Sequence, residues 1–195
     1  WIVAGTLPLP PEGQPEAKAN ACSLLIDEHG ERVARYDKLH LFDVDVADAR
    51  GRYRESDDYA FGQKIVVADT PVGRLGLTVC YDLRFPVWSR DPHDTDLLLY
   101  TANWPAPRRQ HWNRLLPARA IENLCYVVAV NRIGEDGNAL RYAGDSQVLD
   151  FQGDSLFNAA DADGVFRVRL DAAALAAYRQ RFPAYMDADR FEIHP

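Results

Sequence analysis

LTVCYDLRFP, Leu77 to Pro86, ends an apolar run in a cysteine and turns at once into a charged segment interrupted by proline. The run RLGLTVC, Arg74 to Cys80, has the length and composition of a buried strand, and YDLRFPVWSR after it reads as the opening of a helix. A cysteine between a strand and a helix sits where backbone N–H groups and the positive helix end favour a thiolate nucleophile. Free cysteine is also among the most buried residue types, where it acts as a small hydrophobe. Both readings of Cys80 remain open on this pattern. Asp82 and Arg84, within four residues, mark the point at which the chain leaves the core.

Outward from this junction, short apolar or β-branched runs recur between turn signals: WIVAGTL, ACSLLID, RVARYD, KIVVAD, DLLLYTA, CYVVAVN, DSQVLDF, DSLFNA and VFRVRL. With RLGLTVC they make ten expected strands. DEHG, TPVG and FQGD place glycine where a hairpin turn needs positive φ. Two segments carry helical signals. In Arg108–Asn123, Trp112, Leu115, Leu116 and Ala120 share one face, and Pro117 within that pattern predicts a kink or restart. Asp171 is a good N-cap for the alanine-rich stretch that follows it. The polar stretch from Leu39 to Gln63 has neither period and reads as a long functional loop. Strands mixed with helices, joined by hairpins and crossovers, indicate an α/β layered fold.

The 195 residues suit a single domain, and a net charge of -7 argues against a surface that tracks nucleic-acid phosphates. The one basic cluster, RRQHWNR from Arg108 to Arg114, reads as a solvated helix face. No apolar run approaches the ~20 residues that span a bilayer. Cys22, Cys80 and Cys125 form no C-x-x-C pair, which favours a reducing, cytoplasmic setting. No H-E-x-x-H, Cys/His cluster or glycine-rich phosphate loop calls for a metal or cofactor. The chain opens at Trp1 inside what reads as a buried strand, so the domain over residues 1–195 is expected to be N-terminally incomplete.

Cys22 and Cys125 lie inside apolar strands without ionisable neighbours and read as packing. A base for Cys80 is available in His40 or His111, with Asn131 as orienter, in the manner of a papain-like hydrolase. Lys38, after RVARYD, can place a positive charge beside an oxyanion, although isolated lysines are commonly surface charges.

YDKLHLFDVD, CYDLRFPVWSR, ANWPAPRRQHWNRLLPARAIENLCYVVAVNRIGEDGN and YAGDSQVLDFQG together resemble the nitrilase superfamily of carbon–nitrogen hydrolases, and within it the ω-amidase branch. The resemblance implies a four-layer αββα sandwich, here lacking its first strand and helix, that pairs as a homodimer. It implies hydrolysis of a small-molecule amide through a cysteine thioester, with no cofactor. Carried over by motif, Cys80 is the nucleophile, Lys38 the oxyanion lysine, and Glu55 in YRES the residue that holds the lysine and the substrate nitrogen. The Tyr81 backbone N–H is the second oxyanion donor. The family's general-base glutamate belongs to a segment upstream of the one WIVAGTLP resembles. Val87 stands where many members carry glutamate after RFP, a departure shared with ω-amidase-like members. That branch acts on 2-oxo acid amides, whose distal carboxylate Arg84 can bind; a salt bridge from Arg84 to Asp82 or a loop carboxylate is the other reading. Asn103 and Trp104 are expected to line the pocket. An N-carbamoyl compound or nitrile as substrate, and a non-catalytic binding or scaffold module, remain the alternatives.

Overall fold

The computed structural model describes residues 1–44, 53–90 and 95–189. Strands β1 (Ile2–Leu9), β2 (Asn20–Ile26) and β3 (Arg32–Asp37) form an antiparallel meander. A two-residue pair, β4 (Asp43–Val44) with β5 (Tyr53–Arg54), and one helical turn, α1 (Glu55–Asp58), lead to β6 (Val66–Thr70) and β7 (Gly73–Val79). A 3₁₀ turn over Cys80–Arg84 and the short α2 (Pro86–Ser89) follow. Then come β8 (Leu97–Ala102), α3 (Arg109–Asn123) and β9 (Tyr126–Asn131). Two hairpins, β10 (Ile133–Glu135) with β11 (Arg141–Ala143) and β12 (Gln147–Leu149) with β13 (Ser155–Asn158), precede α4 (Ala172–Arg181).

The second large sheet has the order β13-β12-β9-β8-β7-β6. Its centre, β7-β8-β9, is parallel, and the flanking strands are antiparallel. Parallel neighbours need a crossover, which α3 supplies between β8 and β9. Both faces of these strands are therefore covered, and the run LLLY shows it residue by residue. Leu98 and Tyr100 pack beneath Trp112, Leu116 and Ala120 of α3. Leu97 and Leu99 face the other way, into a cluster with Leu25 and Tyr36 of the three-stranded sheet. The result is an α/β sandwich: α3 outside, two sheets face to face, and α4 closing the far end through Leu175 and Tyr178.

Gly30, Gly73 and Gly153 turn the three expected hairpins at positive φ. Asp171 caps α4 by accepting from the Ala174 N–H at 3.0 Å. Other expectations need correction. VFRVRL is not a strand: Val165 is fully exposed, and among the described residues the sheet ends at β13 without the segment joining its ladder. The polar stretch after Leu39 contains β4, β5 and α1, while residues 45–52 lie outside the described residues. The short β10 and β11 went unread because neither has an apolar period. The helix expected after Cys80 is a 3₁₀ turn followed by four α-helical residues, too short for a strong macrodipole.

Helix α3 runs unbroken through Pro117. The bond lost at Pro117 is outweighed by anchors on both sides of it. Trp112 and Leu116 are buried before the proline, and Ala120 after it. The Arg119 guanidinium donates to the Leu83 carbonyl at 2.7 and 3.1 Å.

Candidate active site

At the end of β7 the chain must leave the sheet abruptly, and Cys80 does so at φ 46°, a left-handed conformation costly for a residue with a Cβ. Asp82 holds this turn from inside the fold. Its buried carboxylate accepts from the Val79 N–H at 2.9 Å, the Tyr36 hydroxyl at 2.6 Å and the His40 N–H at 3.1 Å. Cys80 is thereby presented, half-buried, at a cavity of about 490 Å³ between the ends of the two sheets.

Lys38 enters the same cavity from the end of β3. Its N–H donates to the Ala21 carbonyl at 3.0 Å, and its carbonyl accepts from the Gly62 N–H at 2.8 Å. Its ammonium, almost completely buried, meets Glu55 Oε2 at 2.5 Å. The same carboxylate oxygen accepts from the Phe42 N–H at 2.8 Å, so Glu55 is fixed from two directions. Burial opposes the Lys38 charge, but Cys80, Glu55 and Asp82 outweigh it and hold the ammonium above the ordinary lysine range.

This clamp depends on Gly62, where a Cβ would lie 1.9 Å from the Asp37 carbonyl oxygen. Gly62→Ala is therefore expected to destabilise the fold by roughly 1–3 kcal/mol, as overpacking does, and to shift Lys38. Chemical denaturation measures the loss. An unchanged midpoint would show that the clamp is dispensable.

Burial pushes the Cys80 thiol up; Lys38 and the Asn103 backbone N–H pull it down, and Glu55 and Asp82 push it up again. The net position is above the ordinary thiol range, which corrects the expectation of a thiolate stabilised by a helix end. Cys22 and Cys125 are fully buried, and their thiols are pushed up to about 12. Brief iodoacetamide treatment is therefore expected to modify Cys80 first, at a rate that climbs with pH through and beyond the usual thiol range. Peptide mass mapping reads the site, and faster labelling of Cys22 or Cys125 would count against it.

Arg84 lies over the Trp104 ring, 5.0 Å from its centroid, and donates to His111 Nδ1 at 2.9 Å. Its expected alternative partner Asp82 is occupied by Tyr36, His40 and Val79. Trp104 is buried, and Asn131 Oδ1 accepts its N–H at 2.7 Å. Asn103 lines the cavity beside it. Among the described residues no group of three His, Cys, Asp or Glu side chains is placed to hold a metal ion, and no helix is long and apolar enough to cross a membrane.

The carbon–nitrogen hydrolase family model matches residues 1–180. The chain belongs to the carbon–nitrogen hydrolase family. It is 44% identical over 196 aligned residues to "Omega-amidase YafV" of Escherichia coli K12, covering 98% of this chain and 70% of that protein. It is 40% identical to the deaminated glutathione amidase of Yersinia enterocolitica, covering 94% of this chain and 65% of that protein. The crystal structure of XC1258 from Xanthomonas campestris, a CN-hydrolase superfamily protein with an arsenic adduct in its active site, superposes with a TM-score of 0.84. Identity there is 38%, with 97% of this chain and 69% of that chain covered.

In this carbon–nitrogen hydrolase the papain-like arrangement is not formed. His40 Nδ1 is 2.8 Å from Asp82 Oδ1, and the His40 ring stacks on Phe85. His111 accepts from Arg84, and Asn131 holds the backbone around Trp104 and Gly144 rather than a histidine. Three features of the site went unread in the sequence: Asp82 as the holder of the turn, the Asn103 N–H at the sulfur, and Arg108 in the cavity wall. Asp82 lay two residues from Cys80, but a carboxylate beside a strand end carries no mark of where its oxygens will point.

Proposed function

We propose that this chain hydrolyses the terminal amide of small 2-oxo acid amides through a thioester on Cys80. The observation that carries the reading is the convergence of the Cys80 thiol with the buried Lys38–Glu55 pair at one cavity. In this mechanism the Cys80 sulfur, once deprotonated, attacks the amide carbonyl, and the developing oxyanion is met by the Lys38 ammonium and the Tyr81 backbone N–H. The carbon–nitrogen bond then breaks, the nitrogen leaves as ammonia after taking up a proton, and water cleaves the thioester to the acid and restores the thiol. Glu55 orients Lys38 and the substrate nitrogen. Lys38 and the Phe42 N–H both meet the Oε2 oxygen of Glu55; the proton of Cys80 is assigned, on the family resemblance alone, to another glutamate.

Arg84 binds the distal carboxylate of the substrate, with Trp104 as an apolar wall and Asn103 as a polar one. The similarity to an ω-amidase and a deaminated glutathione amidase supports an amide of this class. The three free thiols fit a cytoplasmic setting, and a homodimer is the expected assembly, to be read as twice the chain mass by light scattering.

The test compares kcat/KM on 2-oxoglutaramate and on a neutral short amide. Arg84→Ala is expected to lose roughly ten- to hundredfold more on the charged amide, because only that substrate leaves a carboxylate unpaired. Equal losses would remove Arg84 from the substrate site. Activity confined to nitriles or N-carbamoyl compounds would replace the substrate, and inactivity of the intact protein on the whole panel would favour a binding module.

A further inference from the structure

Helix α3 carries a guanidinium in the face that packs against the sheet. Arg119 is 4% exposed and stands between buried Leu116 and Ala120. Burying a cation there is costly unless its donors are used. All three nitrogens are: Nε and Nη2 donate to the Leu83 carbonyl at 3.1 and 2.7 Å, and Nη1 donates to Glu122 Oε1 at 3.0 Å. An apolar side chain would fill the position without that cost, so the reason for the arginine lies in what it holds.

It holds the last peptide of the turn that presents Cys80. A 3₁₀ turn bonds each carbonyl to the N–H three residues on, and the donor due to Leu83 would come from position 86, where Pro86 has none. Leu83 is wholly buried, so its carbonyl is cut off from water as well. Arg119 supplies, from 36 residues further along the chain, the donors that the turn itself lacks.

Two groups of the site depend on that peptide. The Leu83 carbonyl and the Arg84 N–H lie in one rigid plane, so fixing the carbonyl sets the direction in which Arg84 leaves toward the Trp104 ring. Cys80, at the other end of the same turn, is at φ 46°, a conformation that persists only where the surroundings over-determine it. The Asp82 carboxylate fixes the front of the turn through the Val79 N–H, and the Phe85 N–H donates to the Asp82 carbonyl at 2.9 Å. Arg119 ties down the back.

We infer that Arg119 is a positioning residue for the reaction: through the Leu83 carbonyl it keeps the strained turn closed, with Cys80 and the Tyr81 N–H at the cavity. This rests on the proposed amidase reading and adds to it a side chain that does not line the cavity.

The test pairs turnover with cysteine labelling in Arg119→Met and Arg119→Lys, under conditions where denaturation curves show each variant folded. Leu175→Ala, which opens a cavity beneath α4, provides a variant destabilised without contact with the turn. Arg119→Met is expected to lower kcat roughly ten- to hundredfold, the scale of a small misplacement of reacting groups. Arg119→Lys, with a single ammonium in place of the fork, should lose less but still measurably. Burial is the largest cause of the raised Cys80 thiol, so a loosened turn should expose the sulfur and speed its alkylation by iodoacetamide at fixed pH. Cys22 and Cys125 should stay protected, which separates local opening from general unfolding. Slower turnover with faster labelling of Cys80 alone is thus the expected signature, absent from Leu175→Ala. Parent-like kcat and labelling in Arg119→Met, or in Arg119→Lys should the first variant not fold, overturns the inference. So does the same signature in Leu175→Ala. Failure of the parent to hydrolyse any amide would instead strike the proposed function, and the labelling would still decide whether Arg119 holds the turn.

Discussion

Cys80→Ala is expected to abolish ammonia release from 2-oxoglutaramate, with a fall in kcat on the order of 10⁶, the scale seen when a covalent nucleophile is removed from a serine hydrolase. The fold persists, because the deleted sulfur faces the cavity while the backbone turn is held by Asp82 through Val79 and Tyr36. Mass spectrometry of a quenched single turnover is the sharper check. The parent should carry an acyl adduct on the Cys80 peptide, and the variant none. Residual turnover within tenfold of the parent, or an adduct on Cys22 or Cys125, would remove the thioester route.

Lys38→Met is expected to lower kcat by ~10²–10³, the usual effect of losing one oxyanion donor. It has two further consequences that a purely structural lysine would not share in the same combination. Lys38 pulls the Cys80 thiol down, so its loss lets the thiol rise further and slows alkylation at fixed pH. It also strands the Glu55 carboxylate, and breaking a buried pair costs about 3–5 kcal/mol, here lessened by the Phe42 N–H that Glu55 keeps. Adding Glu55→Gln removes the stranded charge. The double variant should recover stability without recovering rate, as read by denaturation and ammonia release. A Lys38→Met protein with normal kcat would end its proposed part in the chemistry.

Much of this architecture was legible because it rests on local rules. The hairpin glycines and the Asp171 cap are decided within a few residues, and each is where its pattern placed it. Pro117 shows the limit of such rules. Its local cost is real, but Trp112, Leu116 and Ala120 pack on a sheet and Arg119 reaches Leu83, and none of these partners can be seen from the helix alone. VFRVRL shows the same limit in the other direction: it has strand composition, and Phe166 packs on Phe157 of β13, but among the described residues it joins no ladder.

For the site, the one-dimensional chain singled out the residues proposed to carry the chemistry. Cys80 stands at a strand end, Lys38 follows β3, and Arg84 lies one turn beyond the cysteine; the motifs that include them are contiguous. Tertiary structure alone decided what those groups experience. Lys38 and Glu55 are 17 residues apart and meet only because the end of β3 and the start of α1 lie at the same cavity. Cys80 is a raised thiol because burial, a quantity summed over the whole fold, outweighs the lysine beside it. Within the basic run from Arg108 to Arg114, read as one solvated face, Arg108 turns into the cavity while Arg109 pairs with buried Asp145. Sequence spacing sets which way a side chain leaves its own helix, whereas the field and the dielectric it meets there come from elements distant in the chain.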